Sequence, residues 1–315
     1  MWGLVLLCIL FVCVYGEHYD WYQSFQIRAA TVIGILILAL NLWRASFIRH
    51  PFIALKTWTY RAVWFPFILY IVIDILLAPS HLFEHIYMES ILGYDTLNVI
   101  SLNWAVLLGI IVGAGFTLFT FSRRKWRYKT MTVIAFSSIT GYLMYFYFGI
   151  DYALPKETLF VPLFLRSFGY VIIAICFLTV LSRVPFQHFF QAVSVQSFVS
   201  AGFGGALGTA ILGHALNGAM KKNSMLLGSV VDHVNPFISR IPVGEVYGAV
   251  QQQALMVSMK ELYGWLTLMA LFCLLAFLVY ESDIRPYKVL HPTYRSIRRF
   301  VKHELRIDKK LEATA

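Results

Sequence analysis

Residues 97–121 read LNVISLNWAVLLGIIVGAGFTLFTF, with no charged residue from one end to the other. A bilayer core about 30 Å thick is crossed by roughly 20 apolar residues in helical form, so this run reads as a membrane-spanning helix. It shows no polar/apolar alternation, and hydrocarbon offers no water to backbone groups. A helix is therefore expected, not a barrel strand.

Composition extends that reading to the whole chain. Hydrophobic residues make up 59% of the sequence and charged residues 13%, and the mean hydropathy is +0.69. A soluble domain does not bury that much apolar surface. The fold class expected is all-α, a polytopic membrane protein of about eight transmembrane helices. The spans are Met1 to Tyr15, Ile27 to Trp43, Ala62 to Leu82, Leu97 to Phe121, Met131 to Gly149, Leu159 to Leu181, Ala192 to Leu216 and Leu262 to Tyr280. The first is short, roughly 22 Å at 1.5 Å per residue. Two readings stand for it: a signal peptide cleaved near Val14-Tyr15-Gly16, although a basic leader is missing, or a transmembrane helix whose first turn is absent.

Basic residues give the orientation. With both termini cytoplasmic, 19 of the 26 Lys and Arg fall on the inner side. They lie at Arg44 to Arg61, in the loop carrying Arg123, Arg124, Lys125 and Arg127, at Arg183, and in the tail beyond Tyr280. The formal charge of +10 is thereby explained by topology and calls for no nucleic acid. In the tail, Arg295, Arg298, Arg299, Lys302 and Arg306 alternate with apolar residues; a solvated cytoplasmic tail is preferred to a lipid-lying amphipathic helix.

Motifs for catalysis are absent. Cys8, Cys13, Cys176 and Cys273 all fall in spans without a C-x-x-C pair and read as small buried hydrophobes. His81, Glu84 and His85 are neighbours, but a wetted outer helix end is preferred to a metal site. No P-loop, nucleophile elbow or dinucleotide fingerprint is present. No cofactor or metal is expected, and the chain reads as a non-enzyme.

Two features stand out within the spans. In the glycine-rich run, Ser197, Ala201, Gly205, Thr209 and Gly213 recur every fourth residue with Gly204 and Gly208 beside them, a ridge over which helices approach closely in lipid. Asp74 and Arg166 are the ionisable residues placed at membrane depth. A charge there costs at least about 2.5 to 3.5 kcal/mol, which marks such residues as cavity or gate candidates. Asp74 lies roughly 18 Å from the inner face and Arg166 roughly 10 to 12 Å from the outer one, depths that nearly match. They either pair or line one water-filled passage. A structural ion pair, or an arginine snorkelling to the interface, is the alternative to function.

The order of several short stretches resembles the carboxy-terminal part of a fourteen-helix drug:proton antiporter of the major facilitator superfamily, the EmrB/QacA type. They are Asp20-Trp21-Tyr22, Ile91-Leu92-Gly93-Tyr94 with Leu97, Leu165-Arg166-Ser167-Phe168-Gly169, Ala201-Gly202-Phe203-Gly204-Gly205-Ala206-Leu207-Gly208 and Gln252-Gln253-Ala254-Leu255-Met256. The resemblance implies two linker transmembrane helices in 1–50, a six-helix carboxy-terminal transporter bundle in 51–281 and a basic cytoplasmic tail in 282–315. It also implies that the family's amino-terminal bundle, with its main proton-coupling acids, is missing from this chain. In the loop 122–130, Ser122 stands where the family's loop motif has an acid.

The function implied is secondary active transport: proton-coupled efflux of lipophilic small molecules from the bacterial cytoplasmic membrane. Protons, the missing bundle, a membrane-fusion protein and an outer-membrane channel are the implied partners. Trp64, Phe67, Tyr70, Trp104 and Tyr142 are candidate contacts for lipophilic cations. A non-transporting membrane subunit or scaffold is the alternative, and a membrane-embedded enzyme a weaker one.

Overall fold

A computed structural model of the chain describes residues 2–48, 61–124, 126–182, 184–230 and 242–279. Among the described residues every regular element is helical. The helices are α1 (Trp2–Tyr15), α2 (Phe25–Phe47), α3 (Arg61–Leu77), α4 (Pro79–Ile86), α5 (Thr96–Phe119), α6 (Tyr128–Gly149), α7 (Phe160–Leu181), α8 (Phe186–Phe198), α9 (Gly204–Val230) and α10 (Val243–Val279). Among the described residues six stretches are long and apolar enough to cross a membrane: Phe25–Phe47, Pro66–Ile91, Thr96–Phe119, Tyr128–Gly149, Lys156–Leu181 and Gly244–Val279. The chain is an all-α polytopic membrane protein.

Three expected boundaries are corrected. The third span does not stop at Leu82. Pro79 takes the first position of α4, where a missing N–H does no harm, and a π turn at Tyr87–Ile91 completes the rod. The glycine-rich span is the middle of a longer helix, in which α8, a π turn at Val199–Phe203 and α9 follow without a break. It is not among the six, since glycines, His214, Asn217, Lys221 and Lys222 dilute its apolar residues. The third correction concerns the last span, expected to start at Leu262: α10 starts at Val243, so Lys260 lies on helix, as Lys221 and Lys222 do on α9. α10 has 37 residues, about 55 Å of helix against a core of about 30 Å. Its first turns run beside the end of α9, joined by Asn223 Nδ2 donating to Ser258 Oγ at 2.9 Å and by Lys222 with Glu261 at 3.2 Å.

α6 is central, with Met131, Ala135, Phe136, Ile139, Tyr142 and Leu143 fully buried. α5 is two-faced. Leu97, Trp104, Ile111 and Leu118, seven residues apart, are exposed, whereas Leu102, Ala105, Gly109, Gly113 and Thr117 are buried. An exposed stripe of large apolar side chains suits lipid, not water. On the other face, a Cβ on Gly109 would stand 2.7 Å from the Phe164 carbonyl of α7 and one on Gly113 would stand 3.1 Å from that of Phe168. This G-x-x-x-G lets α5 and α7 touch backbone to backbone.

The ends of the bundle are tied by polar contacts. Tyr87 Oη donates to the Asp151 carbonyl at 2.6 Å and Tyr94 Oη to that of Leu154 at 3.1 Å, fixing the α6–α7 connection. At the other end Lys129 Nζ donates to the Leu278 carbonyl at 2.6 Å, a cation on the last turn of α10. The α1–α2 turn places Asp20 and Trp21 at φ of 52° and 53°, left-handed values uncommon for side-chain-bearing residues. It carries Glu17 onto α9: Trp21 Nε1 donates to Glu17 Oε2 at 2.9 Å, His214 Nδ1 lies 2.8 Å from the same oxygen, and Asn217 Nδ2 donates to Oε1 at 3.2 Å. These bonds, His214's first, hold the Glu17 carboxyl below its ordinary range.

Candidate functional site

α3 and α9 run side by side, and the spacing of their small residues decides what faces what. A Cβ on Gly204 would collide with the Asp74 carboxylate, and one on Gly208 would stand 2.8 Å from Ala78 Cβ and 2.9 Å from the Asp74 carbonyl. Gly204 and Gly208 are the contact points. Gly205 and Thr209 turn elsewhere: nothing lies within 4 Å of a Cβ on Gly205, and both residues line a cavity of about 580 Å³. Gly213 only grazes Leu82, at 3.9 Å, Ser197 is exposed, and the Ala201 side chain lies outside the described residues. The fourth-residue ridge thus divides into a packing edge and a cavity edge.

Asp74 and Arg166 both line that cavity, together with Ser80, His81, Ser167, Tyr170, Ser200 and apolar side chains of α3, α5 and α9. Of the two alternatives, pairing with each other or lining one cavity, they take the second. Arg166 Nη1 lies 2.6 Å from Glu84 Oε2, and Tyr142 Oη donates to Glu84 Oε1 at 2.7 Å. Both oxygens of Glu84 are satisfied, as a buried carboxylate requires. Asp74 is 8% exposed, and its Oδ2 has no hydrogen-bond partner among the described residues.

Glu84 is the residue that hydropathy reading misses. Placed at a wetted outer end, it is instead 4% exposed, so Asp74 is not the one acid within the spans. Phe83, Ile86, Tyr87 and Met88 continue the apolar helical spacing past Leu82 and were the signal for its burial. His85 is exposed and meets Glu89 at 3.2 Å. Among the described residues no group of three His, Cys, Asp or Glu is placed to hold a metal.

The aromatic candidates lie elsewhere. Trp104 is exposed on the lipid side of α5, Trp64 is exposed on α3, and Phe67 packs against the main core. Tyr70 is buried edge-on against Phe177, and Tyr142 serves Glu84. Tyr170 is the ring that reaches the cavity. Of the four cysteines only Cys176 is buried; Cys8, Cys13 and Cys273 are half-buried.

In the basic loop, Arg123 and Arg124 sit in a π turn at Thr120–Arg124, each about 6 Å from the Phe119 ring centre. Arg124 also lies over Trp126, and Arg127 precedes the first turn of α6. Lys125 and the carboxy-terminal tail lie outside the described residues.

No protein-family model matches the chain, and no curated protein matches it.

Proposed function

We propose that this protein is part of a secondary transporter that moves lipophilic small molecules across a membrane in exchange for protons. The observation that carries this reading is the cavity of about 580 Å³ among α3, α5, α7 and α9, at whose wall Asp74 presents a buried carboxylate with an unpartnered oxygen. A bare acid within a membrane span is expensive and marks an ion or substrate pathway. Transporter sites lie between helices near the bilayer midplane, and Asp74 stands within the apolar stretch Pro66–Ile91. A cavity of this size beside the carboxylate leaves room for a substrate and for water to carry protons.

In this reading α3 to α10 form one wall of an alternating-access site, and a second six-helix bundle forms the other. The arginine-bearing loop between α5 and α6 faces the cytoplasm, by the positive-inside rule. The order of sequence stretches shared with the EmrB/QacA-type antiporters, and the pair α1–α2 standing before the bundle as linker helices would, support the same assignment. A bacterial cytoplasmic membrane is the setting proposed, with a membrane-fusion protein and outer-membrane channel as further partners.

The test is efflux of a fluorescent lipophilic dye from cells that make this chain together with a six-helix partner bundle. Energy-dependent efflux that Asp74→Asn abolishes, at unchanged protein level, is the expected result. Efflux retained in that variant removes Asp74 from the mechanism, and no efflux with any partner bundle overturns the transport reading.

A further inference from the structure

The cavity wall carries one side chain of each formal charge, Asp74 and Arg166, with the imidazole of His81 among its described lining residues. Their electrostatic standing differs. Arg166 lines the cavity, while Glu84, which does not line it and is more deeply buried, meets the guanidinium at 2.6 Å. Charges that close, with the carboxylate 4% and the arginine 17% exposed, largely cancel for a ligand several ångströms away. Asp74 has no such partner among the described residues.

We propose that Glu84 is the residue that fixes which sign of ligand charge the cavity accepts: by neutralising Arg166 from behind, it leaves the Asp74 carboxylate as the net charge seen by a bound molecule. The inference rests on the cavity being the ligand site proposed above. Glu84 touches no ligand and acts through Arg166, so it is a positioning residue. Tyr142 belongs to the same device, since its hydroxyl occupies the second Glu84 oxygen at 2.7 Å and leaves Oε2 for the arginine.

The net charge of Asp74, Arg166 and Glu84 shifts in a defined way in each variant. The wild-type cavity holds one negative charge. Asp74→Asn leaves none. Glu84→Gln releases the arginine against Asp74, and adding Asp74→Asn to it leaves one positive charge. The double variant Glu84→Gln with Arg166→Gln returns the wild-type sign.

Tetraphenylphosphonium and tetraphenylborate, near-isosteric ions of opposite charge, are the probes. Their equilibrium binding to the purified full chain in detergent is compared at about pH 8, where imidazoles are neutral. Wild type is expected to prefer the phosphonium. Asp74→Asn, a near-isosteric change, brings the affinity ratio close to parity without inverting it. Glu84→Gln moves the ratio at least about tenfold toward the borate, equivalent to about 1.4 kcal/mol, and the double variant restores the phosphonium preference. A role in folding alone would weaken both ions together and leave their ratio in place.

Inversion toward the borate in Asp74→Asn would show that Arg166 is not cancelled and would overturn the role of Glu84, even if Glu84→Gln proved too unstable to purify. An unchanged ratio in Glu84→Gln overturns it as well. Wild-type protein that binds neither ion overturns the cavity reading itself, and the inference with it.

Discussion

Asp74 and Glu84 stand on one helical rod, about 15 Å apart along its axis, and both are more than nine-tenths buried, yet their surroundings differ in kind. Glu84 has an arginine on one oxygen and a tyrosine hydroxyl on the other. Asp74 has a buried oxygen, Oδ2, that packs against Gly204 without a hydrogen-bond partner among the described residues. The first arrangement is what holding helices together requires. The second is unfavourable for stability alone, and fits a group kept ready for a proton or a ligand.

Glu84→Ala separates the two most strongly. It strands Arg166 in the bundle, and breaking a buried pair on one side costs about 3 to 5 kcal/mol, expected as a lower unfolding midpoint of the purified protein. Asp74→Asn should change the stability by less than about 1 kcal/mol, since no hydrogen bond is lost. Equal losses would erase the distinction. Tyr142→Phe removes a hydrogen bond to a charged group and should cost about 1.5 to 3 kcal/mol, with the fold retained.

The two edges of α9 give the next contrast. Gly208→Leu drives a side chain into the α3 backbone, an overpacking penalty of about 1 to 3 kcal/mol that would show as reduced assembly in the membrane. Gly205→Leu meets open space, and is expected to keep wild-type stability while filling the cavity. Wild-type stability in both variants would remove the packing role from Gly208.

The smallest effect belongs to Glu17 at the rim. Its carboxyl is held below the usual value by His214, Trp21 and Asn217, so the contact adds stability above the ordinary glutamate pKa of about 4.3 and loses it as pH falls through the lower folded value. Acidification below about pH 4 should loosen the α1–α2 turn from α9, seen as a change in Trp21 fluorescence. Glu17→Gln should remove that acid transition. A transition unchanged in the variant assigns it to another group.

Uninterrupted runs such as 97–121 made the helical membrane fold legible, because nothing except helix suits them in lipid. Asp74 and Arg166 were legible, by cost alone, as ionisable residues inside apolar stretches, and both line one cavity. The acid that meets Arg166 was not. Hydropathy ended a span at Leu82 because Pro79, Ser80 and His81 dilute it, whereas Pro79 merely opens the next helix and carries Glu84 inward to Arg166. A buried arginine needs a counter-ion, but spacing along the sequence does not say which acid arrives. The ridge of α9 shows the same limit: a recurrence of small residues shows that something approaches closely, while the rotation of the helix, set by the π turn at Val199–Phe203 and by α3, decides that Gly204 and Gly208 touch and Gly205 does not.

The claim that the Asp74 cavity receives a lipophilic ligand is tested most directly by equilibrium binding of tetraphenylphosphonium to purified wild type, Asp74→Asn and Gly205→Leu, with unfolding midpoints measured alongside. Saturable binding in wild type, a loss of at least about tenfold in both variants, and stabilities within about 1 kcal/mol of wild type are expected. Unchanged affinity in two stable variants would contradict it.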